Sequence, residues 1–292
     1  MTAEMSPPRL RIGVVGAGRV GAVLGAAWRR AGHHITGVSA VSDLSRLRAE
    51  ALLPGVEIRD VPGVCADSEL VLLAVPDDVL PELVAGLARS GVFRDGTFLV
   101  HTSGRYGIEV LAPAVNCLPM AIHPVMTFTG TSIDLDRLAG APWGVTAAPE
   151  VATVAEALVI ETGGEPVWVP ERARVTYHAA LALSANYLNT LVTQATEILR
   201  DAGVEDPQRL LTPLLHASLD NALRHGDQAL TGPIARGDSA SVAAHLDVLN
   251  DPAVANAYRA LGRLAADRAL GAGVITMDQA GALLEVLADG TR

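Results

Sequence analysis

Between Arg11 and Gly21 the chain reads Arg-Ile-Gly-Val-Val-Gly-Ala-Gly-Arg-Val-Gly, an apolar run that passes directly into a glycine-rich turn and then into a helical pattern. This order constrains the fold more than any other feature. A buried strand, a tight turn and a helix can follow one another so closely only where particular positions lack a side chain. Gly16 permits the turn, Gly18 lets backbone N–H groups approach an anion, and Gly21 lets helix and strand pack together. The context is right on both sides: Leu10 to Val15 is apolar, and Val20, Val23, Leu24, Ala27 and Trp28 recur at helical spacing. A helix N-terminus at this point offers unpaired N–H donors and the positive end of its dipole, which suits a pyrophosphate. The segment Gly16, Ala17, Gly18, Arg19, Val20 and Gly21 is therefore expected to cradle a dinucleotide.

Strand-like runs at Leu10–Val15, His34–Ser39, Val56–Asp60, Leu70–Val75, Thr97–Thr102, Cys117–His123, Trp143–Ala147 and Pro166–Val169 alternate with helical or loop stretches. The alternation predicts an α/β fold with a doubly wound parallel sheet of the Rossmann type. From Glu171 onward the pattern is helical, with one stretch over Arg172–Ala202 and further starts near Asp206-Pro207 and Asp251-Pro252, where proline enters the first turn. The expected organisation is a nucleotide-binding domain over 1–171, with a leader at 1–8 that lacks regular structure, and an all-α domain over 172–292 for substrate and dimerisation. Alanine- and leucine-rich helices around Leu210–Leu223 and Val254–Leu270 hold more apolar surface than one small domain buries, which predicts a homodimer.

A net charge of −10 leaves no basic surface to neutralise a nucleic-acid backbone. Apolar runs such as Leu70 to Val75 are too short to cross a bilayer, and Met1 to Pro8 lacks the parts of a signal peptide, so a cytoplasmic protein with no membrane partner is expected. Cys65 and Cys117 have no CxxC or histidine partners, which predicts buried thiols and no metal. All 22 of the Lys and Arg residues are arginines, so Schiff-base chemistry and a lysine general acid are excluded.

The end of the second strand, which sets specificity for the adenosine ribose, carries no acid. Ser39 and Ser42, with Arg46 nearby, suit a 2′-phosphate, so NADP is expected over NAD, although the serines would equally serve as helix caps. Ligands of open α/β sheets bind beyond the carboxyl ends of the strands, where this chain places Val75-Pro76-Asp77, His101-Thr102-Ser103 and His123-Pro124. Asp77 either lines the cleft or caps a helix, and His101 and His123 either take part in chemistry or are core histidines satisfied by backbone. Straight helical spacing puts positions 178, 182, 185, 186 and 189 on one face, so His178, Asn186 and Asn189 form a polar stripe, either a solvated edge or the wall of a site. Thr231 and Arg236, in the compact loop Ala229–Asp238, present donors suited to a carboxylate, or lie in a solvated turn between helices.

The ordered set GAGRVG (Gly16 to Gly21), AVPDD (Ala74 to Asp78), HTSG (His101 to Gly104), HPVMTF (His123 to Phe128), YHAA with a following asparagine (Tyr177 to Asn186) and LTGPIARGD (Leu230 to Asp238) resembles a family that joins a Rossmann-like domain to a domain of unknown function, DUF2520. The resemblance covers nearly the whole chain. It implies a fold similar to 6-phosphogluconate dehydrogenase, pyrroline-5-carboxylate reductase and the β-hydroxyacid dehydrogenases, a nucleotide cleft between the domains, and dimerisation through the helical one. Some such relatives resemble an alternative class of ketopantoate reductase that uses NADPH. The β-hydroxyacid dehydrogenases place a catalytic lysine on the helix entering the second domain, with an asparagine one turn later. Here His178 and Asn186 stand on that helix. The expectation is a reductase of a small carbonyl acid, with His178, Asn186 and His123 as catalytic residues and Asn189, Thr231 and Arg236 binding substrate. An imine reductase, a deazaflavin-type oxidoreductase and a non-catalytic NADP sensor are the alternatives.

Overall fold

The structure, a computed structural model, describes residues 9–288, so the expected leader at 1–8 lies outside the described residues. The chain divides into two compact units, Met1–Ser184 and Ala185–Arg292. In the first, β1 (Arg11–Val15), α1 (Arg19–Arg30), β2 (His34–Ser39), α2 (Asp43–Leu52), α3 (Val61–Ala66), β3 (Leu70–Leu73), α4 (Leu80–Ser90), β4 (Phe98–His101) and β5 (Leu118–Pro124) are followed by α5 (Ile133–Arg137), β6 (Pro142–Ala147), α6 (Ala152–Ile160), β7 (Glu165–Trp168) and α7 (Arg174–Leu181). The strands form one 7-stranded sheet in the order β2-β1-β3-β4-β5-β6-β7. Its two faces are covered by separate apolar clusters, one including Ile12, Val14, Leu24, Trp28 and Trp143, the other Val15, Leu73, Val84 and Leu99. Strands β1, β3 and β4 are buried along most or all of their length, as expected for parallel strands covered on both sides.

The structure departs from the expected doubly wound parallel sheet in two places. Val56–Asp60 contributes only a single bridge, Val38 to Ile58. Pro54 and Gly55 precede the run, and Asp60 already caps α3 by accepting from the Gly63 N–H at 3.0 Å, so too few residues remain for a strand. In addition, β6 pairs antiparallel to β5, while the other pairs are parallel. A parallel return is made by a crossover that is usually an α-helix, and the only α-helix in this connection among the described residues is α5, of 5 residues.

The helical unit contains α8 (Tyr187–Asp201), α9 (Pro207–His225), α10 (Gly232–Ala235), α11 (Ser239–Val248), α12 (Pro252–Gly271) and α13 (Met277–Val286). Asp206 and Asp251 cap the helices that open with Pro207 and Pro252, accepting from Arg209 N–H and Ala253 N–H. The core of this unit is small, built from Val242, Ala266, Ala269, Ile275, Ala280, Leu283 and Leu287. On α9 only Pro207 is buried, and Leu210, Leu214, Leu219 and Leu223 are exposed.

The division falls after Ser184 rather than at 171, because α7 is tied to the sheet. Its Arg174 donates to oxygens of β5 and β6, and Glu171 just ahead of it accepts from the Ile108 and Glu109 N–H groups at 2.7 and 3.2 Å. Between α7 and α8 the backbone makes a π turn over Ala182–Asn186. That wider turn breaks the straight 3.6-residue spacing on which the stripe from His178 to Asn189 depended. No helix among the described residues is long and apolar enough to cross a membrane.

The close approach of α1 to β1 is testable. A Cβ on Gly21 would lie 2.0 Å from the Gly16 carbonyl oxygen and 2.9 Å from Ala74 Cβ, whereas one on Gly18 meets nothing within 4 Å. Gly21→Ala should therefore destabilise the protein by about 1–3 kcal/mol, as overpacking does, and Gly18→Ala by only a few tenths. Urea unfolding of both variants checks this, and equal midpoints would contradict the packing.

Candidate functional site

Strands β2, β1, β3, β4 and β5 run parallel, so their carboxyl ends bring Ser39, Gly16, Val75, His101 and His123 to the same edge of the sheet. At the first βα turn Gly16 takes a φ of 97°, and a side chain there would also meet the Ala74 carbonyl oxygen at 2.5 Å. Gly18, the N-cap of α1, provides no side-chain hydrogen bond and faces open space, which leaves the helix N-terminus accessible to a ligand.

Two residues expected to hold a 2′-phosphate are engaged within the fold. The Ser39 hydroxyl accepts from the Gly16 N–H at 3.0 Å, and the Ser39 carbonyl accepts from the Ala17 N–H at 2.8 Å, so Ser39 and Ala17 shape the glycine loop. Ser42 caps α2, accepting from the Ser45 N–H at 3.2 Å. Arg46 is exposed and makes no ion pair among the described residues. Arg48, two positions further on, was not anticipated: a Cβ on Gly130 would lie 2.7 Å from Arg48 Nε and 3.1 Å from Arg19 Cα, so Arg48 and the loop residue Arg19 meet over Gly130. The buried carboxylate of Asp134 fixes that turn by accepting from the Thr129 and Gly130 N–H groups.

After β3, the cap of α4 is Val79, not Asp77. Asp77 is half-buried with Arg105 Nε 3.9 Å from its carboxylate, while the Val79 and Leu80 N–H groups donate to the Pro76 carbonyl. After β4, His101 is fully buried with both ring nitrogens engaged. Nε2 donates to the Gly107 carbonyl at 2.8 Å, and Nδ1 accepts from the Ser103 N–H at 3.1 Å. Burial, together with the nearby Arg174 charge, holds its pKa down to about 4. The Ser103 hydroxyl in turn accepts from the Tyr106 N–H. His101 and Ser103 therefore build the loop, and half-buried Thr102 is left between them.

Three side chains converge beside Gly104. His123, at the end of β5, shares a 2.8 Å hydrogen bond between Nδ1 and the Tyr177 hydroxyl, and its ring meets that of His178 edge-on with centroids 6.3 Å apart. Two glycines make room. A Cβ on Gly104 would lie 2.7 Å from His178 Cδ2 and 3.1 Å from His123 Nε2, and one on Gly144 would lie 2.5 Å from the Tyr177 hydroxyl. Beneath them Arg174, only 1 % exposed, donates from Nε to Thr146 Oγ1 at 2.7 Å and from Nη2 to the Ala121 and Gly144 carbonyls at 2.8 and 3.1 Å. Its Cζ lies 5.8 Å from the centre of the Tyr177 ring. No carboxylate pairs with it among the described residues, and burial lowers its pKa to about 10. His123 is held down to about 4, by burial first and then by Arg174, His178 and His101. Arg174 and Tyr177 were missed in the sequence, where the available signal was Arg174, Tyr177 and His178 at spacings that share a helix face.

The remaining candidates lie in the helical unit. Asn186 ends the π turn, Asn189 is exposed on α8, Thr231 caps α10, and exposed Arg236 follows it, its carbonyl accepting from Gln279 Nε2 at 3.2 Å. This unit also contains an apolar cavity of about 900 Å³ with Leu191, Ile198, Ile234, Val248, Val254 and Leu261 among its lining. His245, hydrogen-bonded to the Tyr258 hydroxyl at 2.8 Å, also lines it, but the histidine cluster of the sheet unit lies at the carboxyl edge of the strands, where ligands of such sheets bind, and is the better candidate for chemistry. Among the described residues no group of three or more His, Cys, Asp or Glu side chains could hold a metal ion.

Residues 1–124 match the Rossmann-like domain family, and residues 141–265 match the domain of unknown function DUF2520. The chain combines a Rossmann-like domain with a DUF2520 domain. No curated protein matches the sequence. Among solved structures, this DUF2520 protein is similar to one from Bacteroides fragilis provisionally named an NADP oxidoreductase, at 23% identity and a TM-score of 0.74 over 89% of this chain and 98% of that one. It is similar to protein TM1727 from Thermotoga maritima, at 20% identity and a TM-score of 0.65 over 90% and 99% of the two chains. A third likeness is to an imine reductase variant from Myxococcus stipitatus in complex with NAD+, at 17% identity and a TM-score of 0.62 over 97% and 100%. At these identities the likeness is one of fold.

The two depressed histidines give the DUF2520 protein a pH signature. Each is neutral in the fold and has a pKa near 6.5 when unfolded, so the stabilisation is complete above that value and is lost as pH falls toward about 4. His101 should account for about 3 kcal/mol of lost stability over this window, with His123 adding in the same direction. The low carboxyls of Asp67, beside Arg59, and Asp238, beside Ser241, lose their contribution only at lower pH. Urea unfolding at pH 7, 5.5 and 4.5 tests this, and a flat profile would contradict it.

Proposed function

We propose that this protein is an NADPH-dependent reductase of a small keto acid, with ketopantoate, reduced to pantoate, as the favoured substrate. The reading rests above all on one juxtaposition within the sheet unit: an open glycine loop on an uncapped helix, and a His123–Tyr177–His178 cluster at a neighbouring part of the same sheet edge. The residues fit such a cofactor. Gly18 leaves the room a pyrophosphate needs, the end of β2 carries no acid to repel a 2′-phosphate, and Arg19, Arg46 and Arg48 lie close by in the chain or in space without ion-pair partners among the described residues. The fold shared with a protein provisionally named an NADP oxidoreductase supports the same choice.

When bound, NADPH supplies a hydride to the carbonyl carbon. The protein's own task is to hold the carbonyl oxygen and deliver a proton to it. In a chain without lysine, His178 is the group we assign to proton delivery, because it borders Gly104 next to His123 and an imidazole can act as a general acid. Purified protein should oxidise NADPH in the presence of ketopantoate at an ordinary rate, on the order of 1 to 1000 per second, and should bind NADPH at least about tenfold more tightly than NADH. His178→Ala should lower kcat by about 10² to 10⁴-fold while NADPH affinity stays nearly intact. NADPH binding without oxidation by ketopantoate would eliminate this substrate, and turnover of a cyclic imine instead would favour the imine reductase reading.

The same reading includes a cytoplasmic homodimer formed through the helical unit. Its support is the row of exposed leucines on α9, together with exposed Leu261 and Leu264 on α12, in a unit whose own core is small. Light scattering at micromolar concentration should report twice the 30.3 kDa chain mass, and a monomer would contradict this part of the proposal.

A further inference from the structure

We propose that His123 acts as a fixed hydrogen-bond donor, presenting Nε2–H to the substrate carbonyl oxygen, and that Tyr177 and Arg174 are the positioning residues that keep it in that form. The inference rests on the reductase reading for the identity of the acceptor, but not for the state of the ring.

The geometry begins with the Tyr177 hydroxyl. Its hydrogen-bond partner among the side chains is His123 Nδ1 at 2.8 Å, and burial raises the Tyr177 pKa, so the phenol keeps its proton. If Nδ1 carried the imidazole proton instead, that phenol proton would have no side-chain acceptor among the described residues. The arrangement that satisfies both groups has Tyr177 donating to Nδ1, which puts the ring proton on Nε2. Nε2 has no hydrogen-bond partner among the described residues and is not sealed inside the protein. Like His178, it packs against Gly104, whose missing Cβ leaves room for the two rings.

The charges around the ring oppose a second proton. The groups acting on it are Arg174 and His178 from α7 and His101 from β4, with Tyr177 bonded to Nδ1, and no carboxylate is among them. Arg174 is a cation held in place by two strands, and no carboxylate lies within ion-pair distance of it among the described residues. The resulting pKa of about 4 means that the ring donates from a neutral state across the physiological range. A neutral imidazole can polarise a carbonyl without releasing its proton. In the reduction a C–H bond forms with the hydride and an O–H bond forms with the proton from His178, while His123 keeps Nε2–H throughout and only stabilises the developing negative charge on oxygen.

Nitrogen-detected NMR of the histidine rings in the full-length protein, without cofactor, tests the ring state independently of turnover. The expected result is a single His123 form, protonated on Nε2 and accepting at Nδ1, from pH 8 to pH 5. A ring carrying both protons at pH 6, or the Nδ1–H form at any pH in this range, overturns the proposal whatever the substrate proves to be. Tyr177→Phe should release the ring into a mixture of both forms, and an unchanged spectrum would remove Tyr177 from the positioning role. Arg174→Gln should raise the pH at which His123 gains its second proton by at least one unit. Should that variant fail to fold, Arg174→Lys keeps the charge and should leave the titration low. In turnover, His123→Ala should lower kcat by about 10² to 10³-fold, and the kcat of Tyr177→Phe should fall with little change in KM. If the NMR results hold and no oxo acid or imine is reduced, the reductase reading fails and the acceptor assigned here fails with it.

Discussion

Arg174 carries its guanidinium to full burial against β5 and β6, with two carbonyls and a threonine hydroxyl as acceptors rather than a carboxylate. A buried charge without a carboxylate in direct contact is costly, and hydrogen bonds to a charged group, at about 1.5–3 kcal/mol each, are the kind of interaction that offsets it. The consequence is mechanical as well as electrostatic. The bonds fix the start of α7 on the sheet, and Tyr177 and His178 follow at one-turn spacing, which brings them to His123. The same cation then sits under both histidines of the sheet edge and disfavours their protonated forms.

Glycine provides the complementary half of the design. Gly144 opens β6 so that the Tyr177 hydroxyl can reach His123, and Gly104, by lacking a Cβ, lets His123 and His178 approach the loop after β4. His101 secures that loop from below by bonding Gly107 and Ser103. The three histidines therefore divide their work: one is structural, one is held neutral by its surroundings, and one packs beside it against Gly104. In the fold this division follows from the partners of each ring.

Much of the first unit was legible in the sequence, because strand-turn-helix order, apolar runs and glycine spacing are local signals. The glycine loop, the helices beginning at Pro207 and Pro252, and the change to an all-helical second half could all be read in this way. What was not legible depended on partners distant in sequence. Ser39 and Ser42 looked like phosphate ligands, but their hydroxyls accept from the Gly16 and Ser45 N–H groups. His101 read either as part of the cofactor cleft or as a core histidine satisfied by backbone, and the two bonds that decide for the second run to a loop whose path the sequence does not reveal. Arg174 was overlooked because a solvent-facing arginine at a helix start is ordinary, and only strands β5 and β6 show that this one is buried. The stripe from His178 to Asn189 assumed straight α-helical spacing, which the π turn at Ala182–Asn186 interrupts.

The most direct measurement of the account is a crystal structure of the protein with NADP and a non-reducible 2-oxo acid. The account predicts the pyrophosphate over Gly18 and the oxo group within hydrogen-bond reach of His123 Nε2, about 3 Å. A ligand bound away from the carboxyl edge of the sheet, or an oxo group that meets neither histidine, would contradict it.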